Sequence, residues 1–368
     1  MVKIHAAVSR TKLAPPRIEE LELDEPRANE VRIRTVASGI CHTDLSCHYG
    51  QGVPVPLPIV LGHEGAGVVE CVGSGVRGLK PGDHVVLSGA SCGLCPSCRA
   101  ARPTYCRDAM KLSFGGMRAD GSSPLSQGGE RIAGAFFAQS SFATYLNAPE
   151  STAVKVPTDV PLQLLGPLGC GIITGAGAML EALRIVPGQS VVIFGVGSVG
   201  LAAVMAAAIA GASSIVAVDV SPARLQLART LGATDVVPSN DATAAALHDI
   251  QPYGFTYSFN TTHAPTVYTL ATACLANEGT AGFVTRPQGE WTLNVGHLLA
   301  GGRKMQGILG GSANPQLFIP LLINYWRQGR FPFDRLISEF AFADLDQAWQ
   351  AARTGEVIKP ILKMPAAC

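Results

Sequence analysis

The segment from residue 188 to residue 237 constrains the fold more than any other part of the chain. It contains an apolar strand (SVVIF), a glycine-rich turn (GVGSVG), an apolar helix, a second strand that ends at Asp219 and another helix. Strands and helices that alternate at this length form parallel sheets with right-handed crossovers. The alternation continues less clearly through FTYSFNTT and GTAGFVTR. We therefore predict an α/β domain built on a doubly wound parallel sheet.

The glycine-rich turn predicts a dinucleotide site. Its residues Gly195, Gly197 and Gly200 fit the pattern G-x-G-x-x-G, which is weak alone but here follows a strand and opens a helix. Such glycines permit a tight turn and let a pyrophosphate approach the helix N-terminus. Asp219 is then expected to bind the adenosine ribose and to repel a 2′-phosphate, which favours NAD over NADP. The alternative is a glycine turn with a purely structural role.

Composition excludes several classes of protein. The chain has 368 residues, 47% of them hydrophobic and 15% charged, which favours two folded domains over disorder. A formal net charge of +1 without a basic block argues against nucleic acid partners. The N-terminus lacks the apolar region of a secretory signal, and the apolar run at 201–209 is too short to span a bilayer. Ten cysteines without such a signal indicate reduced thiols, so we predict a cytoplasmic enzyme without a membrane partner.

The chain changes character twice along its length. Its first part is rich in Gly, Pro and short β-prone runs, which predicts a mainly β domain at 1–171 with a loop-like lobe at 92–141. The α/β domain is predicted at 172–308. The remainder, 309–368, includes an amphipathic helix and a strand that we expect to return to the first domain.

Four cysteines in the lobe predict a metal site. Cys92, Cys95, Cys98 and Cys106 are spaced C-x2-C-x2-C-x7-C, and thiolates this close can surround one zinc ion with no open position, as in structural sites. An iron–sulfur cluster uses similar ligands but usually a different spacing or a following proline. Cysteines that are merely packed are the remaining alternative.

A second metal site is predicted from three distant residues. Cys41 and His63 lie about twenty residues apart and supply a thiolate and an imidazole, and Cys170 in PLGCGIITGAGA is the best candidate for a third ligand. Three protein ligands and an open position are typical of catalytic zinc. By spacing alone, ordinary packing of these residues stays an alternative.

The neighbours of these three residues favour catalysis. Asp44 is expected to accept the second ring N–H of His63, as carboxylates often do for metal-bound histidines. Glu64 is expected to tune the metal or to enter its coordination sphere. Thr43 offers a hydroxyl that can take a proton from a bound alcohol. Turn capping is the alternative for Thr43 and Asp44.

Over essentially its whole length the chain resembles the zinc-containing medium-chain dehydrogenase/reductases of the alcohol dehydrogenase type. GHEGAGVVECVGSGV fits that family's zinc signature, and the four-cysteine lobe, PLGCGIITGAGA and GVGSVG follow in the expected order. The resemblance implies a discontinuous, mainly β GroES-like catalytic domain, a Rossmann domain and a homodimer or homotetramer. FFAQSSFATY and the ending YWRQGRFPFDRLI…VIKPIL are similar to bacterial benzyl (aryl) alcohol dehydrogenases and to relatives that act on allylic terpene alcohols.

The resemblance also implies residue roles. It implies reversible hydride transfer from a primary aryl or allylic alcohol to NAD, with two zinc ions per subunit. The catalytic zinc would be held by Cys41, His63 and Cys170, and the structural zinc by the four lobe cysteines. Thr43 would start a proton relay. The implied cofactor contacts are His42 and Lys359 to the pyrophosphate, Thr174 and Val199 to the nicotinamide, and Asp219 with Arg224 to the adenosine ribose.

Two positions depart from the family pattern. Ser46 stands where many members have a relay histidine, so His48 or water is expected to complete the relay. Ser88 replaces a bulky aromatic residue, which suggests a wider substrate pocket. A polyol or glutathione-adduct dehydrogenase is the alternative activity. A catalytically silent NAD-binding homologue is a further alternative, although it would be expected to have lost metal ligands that are present here.

Overall fold

The computed structural model describes residues 1–366, so Cys368, which we expect to take no part in a metal site, lies outside the described residues. The chain divides into two compact units. Of the described residues, the first unit comprises Met1–Cys170, Asn314–Leu321 and 334–366, and the second comprises Gly171–Ala313 and Leu322–Phe333. Among residues 1–366, no helix is both long and apolar enough to cross a membrane.

Strands and helices alternate most regularly in the second unit. The strands are β1 (Val2–Ser9), β2 (Arg17–Leu23), β3 (Glu30–Gly39), β4 (Ile59–Val60), β5 (Gly65–Val72), β6 (His84–Leu87), β7 (Leu125–Gln127), β8 (Glu130–Ile132), β9 (Tyr145–Pro149), β10 (Ala153–Val156), β11 (Ser190–Phe194), β12 (Ser214–Asp219), β13 (Asp235–Pro238), β14 (Phe255–Asn260), β15 (Leu275–Phe283), β16 (Lys304–Gly307), β17 (Ile337–Ala341) and β18 (Lys359–Lys363). The α-helices are α1 (His42–His48), α2 (Pro96–Arg99), α3 (Ala109–Phe114), α4 (Gly171–Gly177), α5 (Ser198–Ala210), α6 (Pro222–Thr230), α7 (Thr243–Ile250), α8 (Pro265–Ala273), α9 (Val295–Gly301), α10 (Pro315–Arg327) and α11 (Leu345–Thr354).

The second unit is built on a parallel sheet. Its strands lie in the order β13-β12-β11-β14-β15-β16, and every neighbouring pair is parallel. Strands β11 and β12 are buried along their whole length, as expected for a sheet covered on both faces. The strand order reverses between β11 and β14, which is where such sheets bind ligands at their carboxyl ends. The predicted doubly wound sheet is confirmed.

The first unit consists mainly of antiparallel strands. One sheet has the order β4-β1-β2-β7-β8, and the other has the order β10-β6-β5-β3-β18-β17 with β9 also paired to β3. The strand β18 arrives from the C-terminal end of the chain and pairs antiparallel with β3, with Ile361 opposite Gly39. The mainly β fold is confirmed, and this pairing fixes where the last strand meets the end of β3.

Two parts of the predicted returning segment 309–368 are grouped differently from our expectation. Residues 309–313 belong to the second unit, and so does Leu322–Phe333. Its aromatic side chains pack on one another: the ring centroids of Trp326 and Phe333 lie 6.1 Å apart, and those of Phe331 and Phe333 lie 6.3 Å apart. The boundary therefore falls inside α10, a position that no composition shift marks.

Candidate active site

Four potential metal ligands meet in the first unit. The ligand atoms of Cys41, His63, Glu64 and Cys170 all lie within 4.8 Å of one another. The Nε2 atom of His63 is 3.2 Å from the Sγ atom of Cys170. The structure thus brings together the three residues predicted to hold a catalytic metal, although the sequence separates them by up to 129 positions (170 − 41).

Asp44 fixes the geometry of this cluster. It is fully buried on α1, and its Oδ2 atom accepts a hydrogen bond from the backbone N–H of Cys41 (2.9 Å). Its Oδ1 atom accepts from the backbone N–H of Gly62 (3.0 Å) and is 3.0 Å from Nδ1 of His63. Because Nδ1 donates to a carboxylate, Nε2 is left as the nitrogen that faces the thiols, as in metal-bound histidines.

Charge in the cluster favours anionic sulfur. The hydrogen bond from the Cys170 thiol, together with the Lys359 ammonium, holds the pKa of Cys41 well below its usual value despite burial. The same hydrogen bond and burial raise the pKa of Cys170. Burial opposes protonation of His63, but the Asp44 carboxylate and the Cys41 sulfur outweigh it and raise the pKa of His63. The cluster therefore stabilises one thiolate and attracts a positive charge.

Glu64 and Lys359 form a buried ion pair beside the ligands. The Nζ atom of Lys359 is 2.9 Å from both carboxylate oxygens of Glu64, and the two side chains are 2% and 0% exposed. Burial raises the pKa of Glu64. The ammonium of Lys359 thus has the Glu64 carboxylate as a partner. The contact of Lys359 with a pyrophosphate, which the resemblance implies, stays a prediction.

An aromatic loop borders His63. The ring of Phe137 stacks on the His63 ring with centroids 4.5 Å apart, and Phe114 packs edge-on against Phe137. Phe137, Ala138 and Ser140 adopt left-handed backbone conformations, with φ of 51°, 56° and 51°. Non-glycine residues in this region are strained and persist where surrounding contacts hold them. This loop therefore gives the cluster an apolar, partly exposed wall.

Hydrogen bonds hold the strained loop in place. The Gln139 side chain is fully buried, donates to the backbone oxygen of His63 (3.1 Å) and accepts from Gly65 N–H (3.2 Å). The hydroxyl of Ser140 donates to the oxygen of Val60 (2.7 Å). Our sequence reasoning missed Gln139, because its contact depends on the unusual backbone. It also assigned no role to Phe137, although the Phe-Phe pair in FFAQSSFATY was a visible signal.

The candidate relay residues lie in different surroundings. Thr43 is partly exposed on the first turn of α1, and the Ser46 hydroxyl donates to the backbone oxygen of Thr43 (3.1 Å). His48 is fully buried, with Nδ1 3.0 Å from the Ser9 hydroxyl and its ring edge-on to Trp349. His42 is exposed. Thr43 and Ser46 both carry a hydroxyl and are partly exposed, and Thr43 is the closer of the two to Cys41 in sequence.

Ser88, the other position that departs from the family pattern, is buried. Its hydroxyl donates to the backbone oxygen of Gly169 (3.0 Å), immediately before Cys170. A wider pocket at this position stays a prediction.

A second cluster lies in the lobe. The four sulfur atoms of Cys92, Cys95, Cys98 and Cys106 lie within 4.8 Å of one another. Backbone N–H groups point at these sulfur atoms: Cys92 N–H donates to Cys106 Sγ (3.2 Å) and Cys95 N–H donates to Cys92 Sγ (3.4 Å). Amide donors stabilise thiolates, and the backbone N–H groups of Cys98 and Arg107 lower the pKa of Cys95 to about 6. The lobe can hold a cation with four sulfur ligands.

The glycine turn of the second unit is shaped for close approach. Gly195 has φ of 81°, which favours glycine. A Cβ atom at Gly200 would lie 1.9 Å from the backbone oxygen of Gly195, so helix and turn pack without space for a side chain. At Gly197, the residue that caps α5, a Cβ atom would meet nothing within 4 Å. The turn therefore leaves open space at the helix N-terminus, as a pyrophosphate requires.

Four of the other predicted cofactor residues, Thr174, Val199, Asp219 and Arg224, lie in the second unit. Asp219 is buried, and its Oδ2 atom accepts a hydrogen bond from Val196 N–H (2.7 Å), which places its carboxylate beside the turn. Helices α4 and α5 pack closely, because a Cβ atom at Gly175 would lie 1.9 Å from the oxygen of Val199. Thr174, Val199 and Arg224 are partly exposed, and Arg224 lies in the first turn of α6.

Two family models match the chain. Residues 27–158 match the alcohol dehydrogenase GroES-like domain, and residues 198–324 match the zinc-binding dehydrogenase family. Each match falls largely within one of the two structural units.

Several known proteins are similar to the chain over nearly its full length. A geraniol dehydrogenase from Castellaniella defragrans is 44% identical over 366 residues, which cover 98% of each chain. The crystal structure of an alcohol dehydrogenase zinc-binding domain protein from Burkholderia ambifaria is 46% identical, with a TM-score of 0.96 over 99% of this chain and 100% of that one. The benzyl alcohol dehydrogenase from Acinetobacter calcoaceticus is 42% identical, with a TM-score of 0.95 over 99% and 100% of the two chains.

Proposed function

Because the chain belongs to the zinc-containing medium-chain alcohol dehydrogenase family, we propose that it oxidises primary aryl or allylic alcohols to aldehydes with NAD. The reaction is reversible, and its substrates are small molecules. The convergence of two sulfur atoms and one imidazole nitrogen beside an aromatic wall is the observation that carries this proposal.

The donor set fits zinc. Zinc binds sulfur at about 2.3 Å and nitrogen at about 2.0–2.1 Å, so two ligand atoms of one tetrahedral ion lie about 3.3–3.8 Å apart. The distance of 3.2 Å between His63 Nε2 and Cys170 Sγ is close to this range. Thiolate and imidazole are ligands that zinc prefers. We assign Cys41, His63 and Cys170 as the ligands of a catalytic zinc, with Asp44 orienting the imidazole.

The chain's own residues then have defined tasks. When bound, zinc supplies a Lewis acid that lowers the pKa of a hydroxyl group, and the dinucleotide supplies a hydride acceptor. The Thr43 hydroxyl accepts the proton of the alcohol and passes it to solvent, because Thr43 is partly exposed whereas His48 is buried. The alcohol loses one proton and one hydride and leaves as the aldehyde.

The aromatic wall supports the choice of substrate. Phe137 is partly exposed and lies against His63, where it can contact a flat aryl or allylic group next to the reacting carbon. Aromatic contacts of this kind contribute about 0.5–1.5 kcal/mol beyond area burial. The names of the Castellaniella and Acinetobacter relatives, geraniol and benzyl alcohol dehydrogenase, agree with such a preference.

The second unit supports NAD as the dinucleotide. The open space at Gly197 accommodates a pyrophosphate, and the Asp219 carboxylate beside the turn disfavours a 2′-phosphate. We retain His42, Thr174, Val199 and Arg224 as proposed cofactor contacts. The lobe cysteines are proposed to hold a second, structural zinc, since a set of four thiolates leaves no open position.

Oligomerisation and location are proposed on more general grounds. Val295 and Leu299, on the helix before the edge strand β16, are 63% and 82% exposed, which supports assembly into a homodimer or homotetramer.

The nine cysteines among residues 1–366 are free thiols, which supports a reducing compartment such as the cytoplasm.

A substrate panel tests the proposed function. We expect turnover of benzyl alcohol and geraniol with NAD to exceed that of ethanol, sorbitol and hydroxymethylglutathione, and NADP to be a poor substitute. Phe137→Ala should lower kcat/KM for benzyl alcohol about tenfold and leave that for ethanol nearly unchanged. Tyr253→Ala, at a side chain 94% exposed in the second unit, is the control. Equal kcat/KM values for ethanol and benzyl alcohol in the native enzyme would contradict the proposal.

A further inference from the structure

Gln139 is a buried amide that has no task in the proposed reaction. Both ends of the amide are nevertheless bonded to one short segment: Nε2 donates to the backbone oxygen of His63 (3.1 Å), and Oε1 accepts from the N–H of Gly65 (3.2 Å). Strand β5 pairs with β6 over 66–68, immediately after this segment. The Gln139 side chain therefore takes the place of a neighbouring strand at the start of β5.

The loop that carries Gln139 has an unfavourable backbone. Phe137, Ala138 and Ser140 have φ between 51° and 56°, a region that few residues other than glycine adopt. Such a backbone persists only where surrounding contacts fix it. These contacts include the hydroxyl of Ser140, which donates to the oxygen of Val60 (2.7 Å), and the amide of Gln139. Of these two side chains, Gln139 is the one that ties the loop to the segment before β5.

The same loop places the Phe137 ring against the imidazole of His63. The two rings stack with centroids 4.5 Å apart and an interplanar angle of 27°. Space is open beside the ring: a Cβ atom at Gly89 would lie 3.9 Å from Cδ1 of Phe137 and, its chain neighbours aside, would meet no other atom of residues 1–366 within 4 Å. The loop therefore contacts His63 twice, through the Phe137 ring and through the Gln139 amide, and the amide limits how far the ring can move into that space.

We propose that Gln139 is a positioning residue that sets the preference for aryl and allylic alcohols, because its amide fixes the Phe137 ring beside His63. The inference rests on the proposed function, in which Phe137 contacts the group next to the reacting carbon. Without the amide, the oxygen of His63 and the N–H of Gly65 would be buried without partners, which is unfavourable, and the loop would relax. The imidazole would keep its orientation, since Asp44 still bonds its Nδ1 atom (3.0 Å).

Kinetics of the zinc-loaded full-length protein with NAD test this proposal through the ratio of kcat/KM for benzyl alcohol to kcat/KM for ethanol. In Gln139→Met, which keeps the length of the side chain but not its hydrogen bonds, the ratio should fall about fivefold or more, mainly through a higher KM for benzyl alcohol. The double variant Gln139→Met/Phe137→Ala should have the ratio of Phe137→Ala alone, because both changes remove the same contact. Gln127→Met is the control, since the Gln127 amide also donates to a backbone oxygen, that of Glu20 (3.1 Å), but lies outside this loop.

A binding measurement without turnover accompanies the kinetics. Benzamide and acetamide are non-reacting amide counterparts of the two aldehydes, and calorimetric titration in the presence of NADH gives their Kd values. In Gln139→Met, the Kd for benzamide should rise about fivefold or more, and the Kd for acetamide should stay within about twofold of the native value. Elemental analysis should find the native zinc content in the same variant.

The outcomes separate control of preference from a purely structural role. If Gln139 only supports the backbone of His63, Gln139→Met should weaken both alcohols and both amides by the same factor, and that result would overturn the proposal. A ratio in the double variant about threefold or more below that of Phe137→Ala would also refute it, because the two side chains would then act independently. If Gln139→Met does not fold, Gln139→Asn replaces it, since its amide is one methylene group too short to reach both backbone partners; a native ratio there would contradict the proposal. Equal kcat/KM values for the two alcohols in the native protein, or a native ratio in Phe137→Ala, would instead contradict the proposed function.

Discussion

Burial determines which chemistry is open to His48. The residue is fully buried, its Nδ1 atom is 3.0 Å from the Ser9 hydroxyl, and its ring centroid is 5.2 Å from that of Trp349. A group that relays protons to solvent needs access to solvent or a chain of hydrogen-bonded partners that reaches it. At the scale of single residues, His48 therefore serves packing, and Thr43 carries the proton transfer in our proposal.

We predict that His48→Asn lowers stability but not activity. The smaller side chain leaves a void and should reduce the free energy of unfolding by about 1–3 kcal/mol, measured by denaturant unfolding. The value of kcat for benzyl alcohol should stay within about threefold of the native value. A general acid–base group would instead contribute about a hundredfold or more, so a loss of that size would restore His48 to the relay.

The stability of the protein should also depend on pH through His48. Burial lowers the pKa of His48 in the folded protein, whereas the unfolded chain keeps a value of about 6.5. Below about pH 6.5 the unfolded state therefore binds a proton that the folded state binds only at lower pH. The free energy of unfolding consequently decreases as the pH is lowered. The free energy of unfolding should fall more between about pH 7.5 and 5.5 in the native protein than in His48→Asn. The exposed His248→Asn is the control, and it should keep the native dependence.

Two glycines in the turn between β11 and α5 are expected to have different roles, one in binding NAD and the other in folding. Gly197→Ala adds a methyl group where nothing in the protein lies within 4 Å, whereas Gly200→Ala forces a Cβ atom to 1.9 Å from the Gly195 oxygen. We expect Gly197→Ala to keep its unfolding free energy within about 0.5 kcal/mol and to raise the Kd for NAD about tenfold or more, because the methyl group occupies the path of the pyrophosphate. Gly200→Ala should lose about 1–3 kcal/mol of stability.

Fluorescence titration with NAD and thermal unfolding of the two variants check this prediction. The variants control for each other, since they carry the same substitution three residues apart. Native affinity for NAD in Gly197→Ala would mean that the glycine turn is only structural.

Elements with a local signature could be predicted from the sequence, and contacts between distant elements could not. The strand, glycine turn and helix at 190–210 follow from periodicity, and the lobe cysteines follow from their spacing. The ion pair of Glu64 and Lys359 joins residues 295 positions apart and exists because β18 pairs with β3. The approach of Phe137 to His63 depends on left-handed backbone angles, which no propensity of Phe or Ala favours. Such contacts arise from tertiary pairing, so no local pattern contains them.

At the scale of the whole molecule, the two units carry different chemistry. Both sulfur-containing clusters lie in the first unit, and the glycine turn lies in the second. The two clusters differ in their ligands and in their surroundings, and these differences decide their roles. One includes an imidazole held by a carboxylate and borders a partly exposed aromatic wall, whereas the other consists of four thiols that backbone amides stabilise. Removal of metal from one cluster should therefore impair turnover, and removal from the other should impair folding.

We predict that two cysteine variants each lose one zinc ion but differ in the property that is impaired, which is turnover in one and stability in the other. The native chain should bind about two zinc ions, and Cys170→Ser and Cys98→Ser about one each, measured by elemental analysis of purified protein. Cys170→Ser should lose turnover but keep its affinity for NAD, since the glycine turn is untouched. Cys98→Ser should unfold at lower temperature, because the remaining lobe thiolates would repel one another without a closed metal site. Cys274→Ser is the control: burial raises the pKa of Cys274 to about 12, so it is a poor metal ligand and its replacement should leave the zinc content unchanged. Full turnover in Cys170→Ser would refute the assigned catalytic ligand.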